Sequence, residues 1–134
     1  MIKIKIKKAM RKNGAIAVIL NKENETLIML RPSNAQWAPN KWGFPGGKIE
    51  PGEEPLETAT RETKEETQLD VYGLRPVTLE LDTPVYAYYT RDYEGDVQID
   101  YEHEDWAWVS LNDMGKYDLA PQVLDLYEWV LKHG

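Results

Sequence analysis

The run of residues 47–69 constrains the fold of this chain more than any other segment. Prolines and glycines at positions 45–47 and 51–52 predict a tight loop, and Ala59, Thr63 and Thr67 then recur at helical spacing. The loop is therefore expected to lead directly into a helix. On that helix the glutamates at positions 62, 65 and 66 stand at i, i+3 and i+4, which places their carboxylates on one face.

Like charges at this spacing repel one another and destabilise a helix, so a bound cation would remove a cost. Carboxylate oxygens suit Mg²⁺ or Mn²⁺. Because the chain has no cysteine and only two histidines, His103 and His133, a zinc site is disfavoured. The alternative interpretation is a solvated acidic face in which the glutamates pair with Arg61 and Lys64.

The whole run resembles the Nudix box, a pattern of Gly, five residues, Glu, seven residues, Arg-Glu, an apolar residue, any residue, Glu-Glu, any residue, Gly and an apolar residue. The matching positions are Gly47, Glu53, Arg61, Glu62, Glu65, Glu66 and Leu69. Two positions depart from the pattern. Thr63 replaces an apolar residue and is expected to pack its methyl group inward, and Gln68 replaces a glycine and is expected to deny the helix an easy left-handed C-cap.

The order of elements predicts an α+β fold, and the resemblance implies a Nudix-type α/β/α sandwich with a mixed β-sheet and a loop-helix-loop catalytic motif. One domain is expected over residues 1–134. The apolar runs at residues 15–20 and 26–30 predict a hairpin of buried strands, with a loop over residues 31–40. Further strands are expected at residues 1–8, 71–81, 83–91 and 104–110, a turn at residues 92–96, and a C-terminal helix from Pro121.

The resemblance also implies roles for individual residues. The metal ligands would be the carbonyl of Gly46 and carboxylates from the box and from a distal loop, namely Glu62, Glu65, Glu66 and Glu102. Glu104 is the close alternative to Glu102, whereas His103 is interpreted as a surface residue. Glu53 and Arg61 complete the catalytic set, and a salt bridge that orients the loop is as consistent with Glu53 as a direct role.

Residues 44–50 are similar to the MutT-like subgroup in particular, which implies an Mg²⁺-dependent hydrolase of (d)NTPs that releases pyrophosphate. The candidate substrate-binding residues are Arg31, Trp37, Phe44, Tyr86 and Gln122, although each aromatic residue also suits a structural role. Pro84 and Tyr86 fit conflicting substrate rules of the family. ADP-ribose or dinucleoside polyphosphate hydrolysis, and a catalytically silent nucleotide-binding domain, therefore remain alternatives, as does a plain acidic interaction domain.

The formal net charge is −7, and residues 50–66 contain seven acidic and two basic residues, so much of the acidity belongs to the box. Basic residues cluster in the first twelve positions, where they suit an edge strand better than an extended nucleic-acid surface. The longest apolar run is much shorter than a membrane span. A cytoplasmic enzyme that binds a nucleotide substrate and forms a monomer or homodimer is expected.

Overall fold

The computed structural model describes residues 11–134, so the strand predicted at residues 1–8 lies outside the described residues. Two helices, nine strands and a 3₁₀ helix form in the described range. They are β1 (Gly14–Ile19), β2 (Thr26–Leu30), β3 (Trp42–Gly43), β4 (Gly46–Lys48), α1 (Pro55–Thr67), β5 (Asp70–Tyr72), β6 (Arg75–Pro76), β7 (Val85–Thr90), β8 (Asp92–Glu94), β9 (Asp105–Val109), the 3₁₀ helix (Leu111–Lys116) and α2 (Val123–His133).

The largest sheet has the order β4-β1-β7-β6 and is mixed. β1 pairs in parallel with β7, from Gly14 opposite Val85 to Ile19 opposite Thr90, and antiparallel with β4. A second sheet has the order β3-β2-β9, and β5 pairs with β8. The pairing of β1 with β4 brings the glycines of the box loop against the central strand.

The predicted hairpin of buried strands is wrong in its pairing, although both strands exist. β1 and β2 meet at a single antiparallel bridge between Leu20 and Thr26 and then enter different sheets. Both strands are buried along most of their length, so each is covered on both faces and finds a longer partner elsewhere. β1 forms six residue pairs with β7, and β2 forms five with β9.

Alternate side chains of β1 enter two separate apolar clusters. Val18 and Leu20 pack in a cluster with residues of α2, including Leu126 and Tyr127. Ala17 and Ile19 point the other way and pack with residues that follow α1, including Leu69 and Val71. The predicted mixed sheet with helices on both faces is therefore confirmed.

Two segments differ from their predictions. The strand expected at residues 71–81 is broken at Gly73, which has a φ of 60°, into β5 and β6 of different sheets. The turn expected at residues 92–96 is partly the strand β8, because Tyr93 pairs with Val71 and its ring stacks on Trp108. A strand over residues 105–109 and the C-terminal helix are confirmed.

Helix α1 begins with Pro55 at its first turn, and the backbone N–H of Glu54 donates to Glu57 Oε1 at 3.1 Å. The expectation that Gln68 denies the helix a left-handed C-cap is wrong. Gln68 itself adopts the left-handed conformation, with φ 65° and ψ 10°, and its N–H donates to the Lys64 carbonyl at 2.9 Å. Thr63 is fully buried, as expected. Neither helix in the described residues has the length and apolar character needed to span a membrane.

Candidate active site

Helix α1 packs its acidic face against the glycines of β4. The backbone N–H of Gly46 donates to Glu66 Oε1 at 2.8 Å. A Cβ at Gly47 would stand 2.5 Å from the carboxyl carbon of Glu62, and a Cβ at Gly46 would stand 2.4 Å from the carbonyl oxygen of Ala15. Gly46 needs glycine because its backbone approaches the backbone of β1 too closely for a side chain, whereas a side chain at Gly47 would displace the Glu62 carboxylate.

Arg61 holds the loop before α1 to the helix. Its Nε and Nη2 donate to the two carboxylate oxygens of Glu53 at 2.7 and 3.0 Å, a bidentate pair. The Thr58 hydroxyl also donates to Glu53, at 2.6 Å. Hydrogen bonds from Arg61 and then from Thr58 lower the pKa of Glu53 to about 2. Glu53 therefore lies in an ion pair that fixes the loop.

The same guanidinium reaches two carboxylates of the acidic face. Its Nη1 donates to Glu62 Oε1 at 2.8 Å and to Glu65 Oε2 at 3.2 Å. The Glu65 side chain is 56% exposed, while that of Glu62 is 17% exposed. Arg61 thus compensates part of the charge of both residues.

Glu66 is the most buried of the three carboxylates, with a side chain that is 8% exposed. Burial raises its pKa to about 9, although the Gly46 N–H opposes this shift. Burial also raises the pKa of Glu62, against the effect of Arg61. A cation beside these carboxylates would restore their charged forms.

The segment after β8 brings two further side chains to Glu66. The Asp100 N–H donates to the Glu66 carbonyl at 3.2 Å, which ties this segment to the end of α1. His103 Nδ1 lies 2.7 Å from Asp100 Oδ1, and its Nε2 lies 3.6 Å from Glu66 Oε2. The interpretation of His103 as a surface residue is wrong, because its side chain is 7% exposed and packs against these carboxylates. Among residues 11–134, Glu66, Asp100 and His103 place one ligand atom each within 4.8 Å of one another.

An acidic cavity of about 590 Å³ opens over this region. Several predicted site residues line it, together with His103: they are Arg31, Gly46, Glu62, Glu66 and Glu102. Glu65 lies outside the lining, with its carboxylate turned towards Arg61. Glu104 is also outside, and its N–H donates to the Leu30 carbonyl at 3.2 Å.

A second cavity, of about 470 Å³, has a mostly apolar lining that includes Trp37, Phe44 and Val85. The two cavities share four lining residues, Arg31, Gly46, Gly47 and Lys48. Arg31 stands between them: its Nε donates to the Trp37 carbonyl at 2.8 Å and its guanidinium lies 5.2 Å from the centre of the Trp37 ring. An apolar cavity thus adjoins an acidic one across two cationic side chains.

Two predicted substrate-binding residues lie outside the lining of both cavities. Tyr86 follows Val85 on β7 and therefore points to the opposite face, where Lys12 Nζ lies 4.9 Å from its ring centre. The Gln122 Oε1 accepts hydrogen bonds from the Thr83 hydroxyl at 2.8 Å and from the Thr83 N–H at 3.2 Å. Gln122 thus links the start of α2 to the loop before β7.

Comparison with known proteins agrees with this fold. The NUDIX domain model matches residues 10–130. The chain is 28% identical over 119 residues to the CTP pyrophosphohydrolase of Escherichia coli (strain K12), covering 84% of this chain and 87% of that protein. It is 48% identical over 52 residues to the 8-oxo-dGTP diphosphatase of the same organism, covering 39% of this chain and 40% of that protein. The crystal structure of the MutT protein from Methanosarcina mazei Go1 superposes with a TM-score of 0.68 at 31% identity, covering 89% of this chain and 92% of that one.

The fold and the acidic site define a hydrolase that acts on phosphorus-containing anhydrides. The chain belongs to the Nudix family and is similar to its MutT-like members.

Sequence reasoning missed Asp100 and Lys48 as members of the site and placed His103 on the surface. Lys48 is part of the box loop, and it lines both cavities because it directly follows the two glycines within β4. Asp100 and His103 are three positions apart, and this spacing was the available signal. It was obscured because Glu102, Glu104 and Asp105 give the same segment the composition typical of a solvated acidic turn.

Proposed function

We propose that this chain is an Mg²⁺-dependent pyrophosphohydrolase of (d)NTPs that releases nucleoside monophosphate and pyrophosphate. The observation that carries the proposal is the pair of adjoining cavities that share Arg31 and Lys48. A base fits the apolar cavity beside Phe44 and Trp37, and the phosphate chain then crosses to the acidic cavity. CTP and 8-oxo-dGTP, named for the two relatives above, are substrates of this kind.

Different residues of this chain bind the substrate, accept the proton and position the carboxylates. The positive charges of Arg31 and Lys48 bind and orient the phosphate chain between the cavities. Glu102 lines the acidic cavity, which supports a role for it in accepting a proton from the attacking water. The Glu53–Arg61 pair keeps Glu62 against Gly47, so it positions the carboxylates without touching the substrate.

The donor set fits a hard divalent cation. Glu62 and Glu66 offer carboxylate oxygens at one cavity, and both have a raised pKa in the absence of compensating charge. These two residues, with Glu102 and the carbonyl of Gly46, would hold the ion, and Glu65 would join them by turning away from Arg61. When bound, Mg²⁺ supplies positive charge to the phosphoryl oxygens and acidity to a water molecule.

Steady-state hydrolysis with product identification tests the proposal. Purified protein with Mg²⁺ should convert one or more (d)NTPs to monophosphate and pyrophosphate, and Glu66→Gln should lose this turnover while keeping its cooperative melt. The glutamine keeps the size of the side chain and an oxygen for the Gly46 N–H, so the loss would report the charge.

The substrate panel should include ADP-ribose and dinucleoside polyphosphates. Cleavage of these compounds without (d)NTP turnover would replace the proposed substrate class. Tight nucleotide binding with no metal-dependent cleavage would instead identify a silent binding domain, and normal turnover by Glu66→Gln would overturn the role of that carboxylate.

A further inference from the structure

His103 is held in a defined orientation next to Glu66. Its side chain is 7% exposed, and Asp100 Oδ1 lies 2.7 Å from its Nδ1. In a neutral imidazole a carboxylate partner favours the proton on Nδ1, which leaves the lone pair on Nε2. That lone pair faces Glu66 Oε2 at 3.6 Å, which is too long for a hydrogen bond.

The oxygen that faces His103 is also unpartnered. Glu66 Oε1 accepts the Gly46 N–H, whereas none of the hydrogen bonds formed among residues 11–134 reaches Oε2. Glu66 lines the acidic cavity, so a group bound in the cavity can reach this oxygen. When Glu66 is ionised, the two acceptors oppose each other at this separation, and a cation between them would remove that cost. Metal bonds of about 2.0–2.2 Å to nitrogen and oxygen span such a gap with one ion.

We propose that His103 Nε2 and Glu66 Oε2 ligate one divalent cation, with Asp100 as the positioning residue that orients the imidazole. This inference deepens the proposed function, because it concerns the metal of the same acidic cavity. An imidazole ligand favours first-row transition ions over Mg²⁺, which prefers oxygen. The site therefore binds Mn²⁺ in clear preference to Mg²⁺, beyond what a site of oxygen ligands alone would give.

A metal-free arrangement is the competing account of the same contacts. In it a doubly protonated His103 bridges Asp100 and Glu66 as a structural ion pair. The two accounts differ in whether nitrogen from this side chain is bonded to the ion.

The decisive measurement is electron spin echo spectroscopy of the full chain with one equivalent of Mn²⁺. The wild type should show a ¹⁴N coupling of a directly bound imidazole, and labelling histidine with ¹⁵N should change it. His103→Asn should abolish the coupling. His133→Asn is the matched control, because His133 lies in the last turn of α2 against Trp129 and should leave the coupling intact.

Competition titrations give a second readout. The ratio of Mn²⁺ to Mg²⁺ affinity should fall at least about 10-fold in His103→Asn, and less in Asp100→Asn, which keeps an acceptor for Nδ1 but loses its charge. If His103→Asn fails to fold, the labelled wild-type spectrum still decides the question.

Absence of nitrogen coupling in the wild type, or an unchanged affinity ratio in a folded His103→Asn protein, would overturn the inference. Either result is independent of turnover. A spectrum with ¹⁴N coupling from a protein that does not hydrolyse (d)NTPs would refute the proposed function alone. Hydrolysis by a protein without ¹⁴N coupling would refute the histidine ligand alone.

Discussion

Thr63 and Thr67 offer a matched test of how α1 is stabilised. Both are fully buried on the same helix. The Thr67 hydroxyl donates to the Thr63 carbonyl at 2.6 Å and accepts the Leu69 N–H at 3.1 Å. The Thr63 hydroxyl has no hydrogen-bond partner among residues 11–134. Replacing each threonine by valine should therefore change stability in opposite directions.

The magnitude follows from the two environments. Valine and threonine have similar helix propensity and shape, so the substitution isolates the hydroxyl. Removing the buried, unpaired hydroxyl of Thr63 should stabilise the fold by about 1–2 kcal/mol. Thr67→Val loses two hydrogen bonds and leaves the buried Leu69 N–H unpaired, so it should destabilise by about 1–2 kcal/mol.

Thermal and urea unfolding would measure both variants. An unfolding entropy of about 2.1 cal/mol/K per residue, taken over 134 residues, converts 1 kcal/mol into about 3.5 °C of Tm. We expect Thr63→Val to melt about 4–7 °C above the wild type and Thr67→Val about 4–7 °C below it. Thr63→Val melting at or below the wild type would refute the reasoning, as would a gain of stability in Thr67→Val.

Three further substitutions test other features of the box. Gln68→Gly should stabilise by about 0.5–1 kcal/mol in urea unfolding, because glycine relieves the left-handed conformation but costs entropy on folding; a lower midpoint would contradict this. The pKa of Glu53 is depressed to about 2 by Arg61, so its stabilising effect is present above about pH 4.5 and lost as the pH falls towards 2. In Glu53→Gln, the free energy of unfolding measured in urea should therefore vary less with pH over that window. A pH dependence identical to that of the wild type would refute the ion pair. Gly47→Ala should displace the Glu62 carboxylate and lower kcat about 100-fold with little change in Tm, and near-normal kcat would argue against this contact.

The fold was predictable from the sequence where an element depends on residues that are close together in the chain. The loop and helix of the box follow from Pro-Gly spacing and from the recurrence of small residues, and both form as expected. The partners of β1 were not predictable, because a strand buried on both faces carries no alternation that selects its neighbour. Its parallel pairing with β7 joins segments about seventy positions apart and depends on the packing of both helices.

Prediction of the site was limited in the same way, because contacts between distant residues carry no local sequence pattern. The box spacing predicted that Glu62 and Glu66 share a face, and the structure places both in one cavity. The spacing could not predict that Glu65 turns outward, because this depends on the reach of the Arg61 side chain. Nor could it predict that Asp100 is tied to the Glu66 carbonyl, a backbone contact that carries no sequence signature.

The alternative of a solvated acidic face fits the three box carboxylates to different degrees. It describes Glu65, which is half exposed and paired with Arg61, and it partly describes Glu62. Lys64 pairs with Asp70 instead of with the box glutamates. Glu66 is different, because burial raises its pKa to about 9 despite the charge of Arg31, and the nearby His103 imidazole is already engaged by Asp100. Of the three box carboxylates, Glu66 is therefore the most costly to ionise, and a bound cation should act most strongly there.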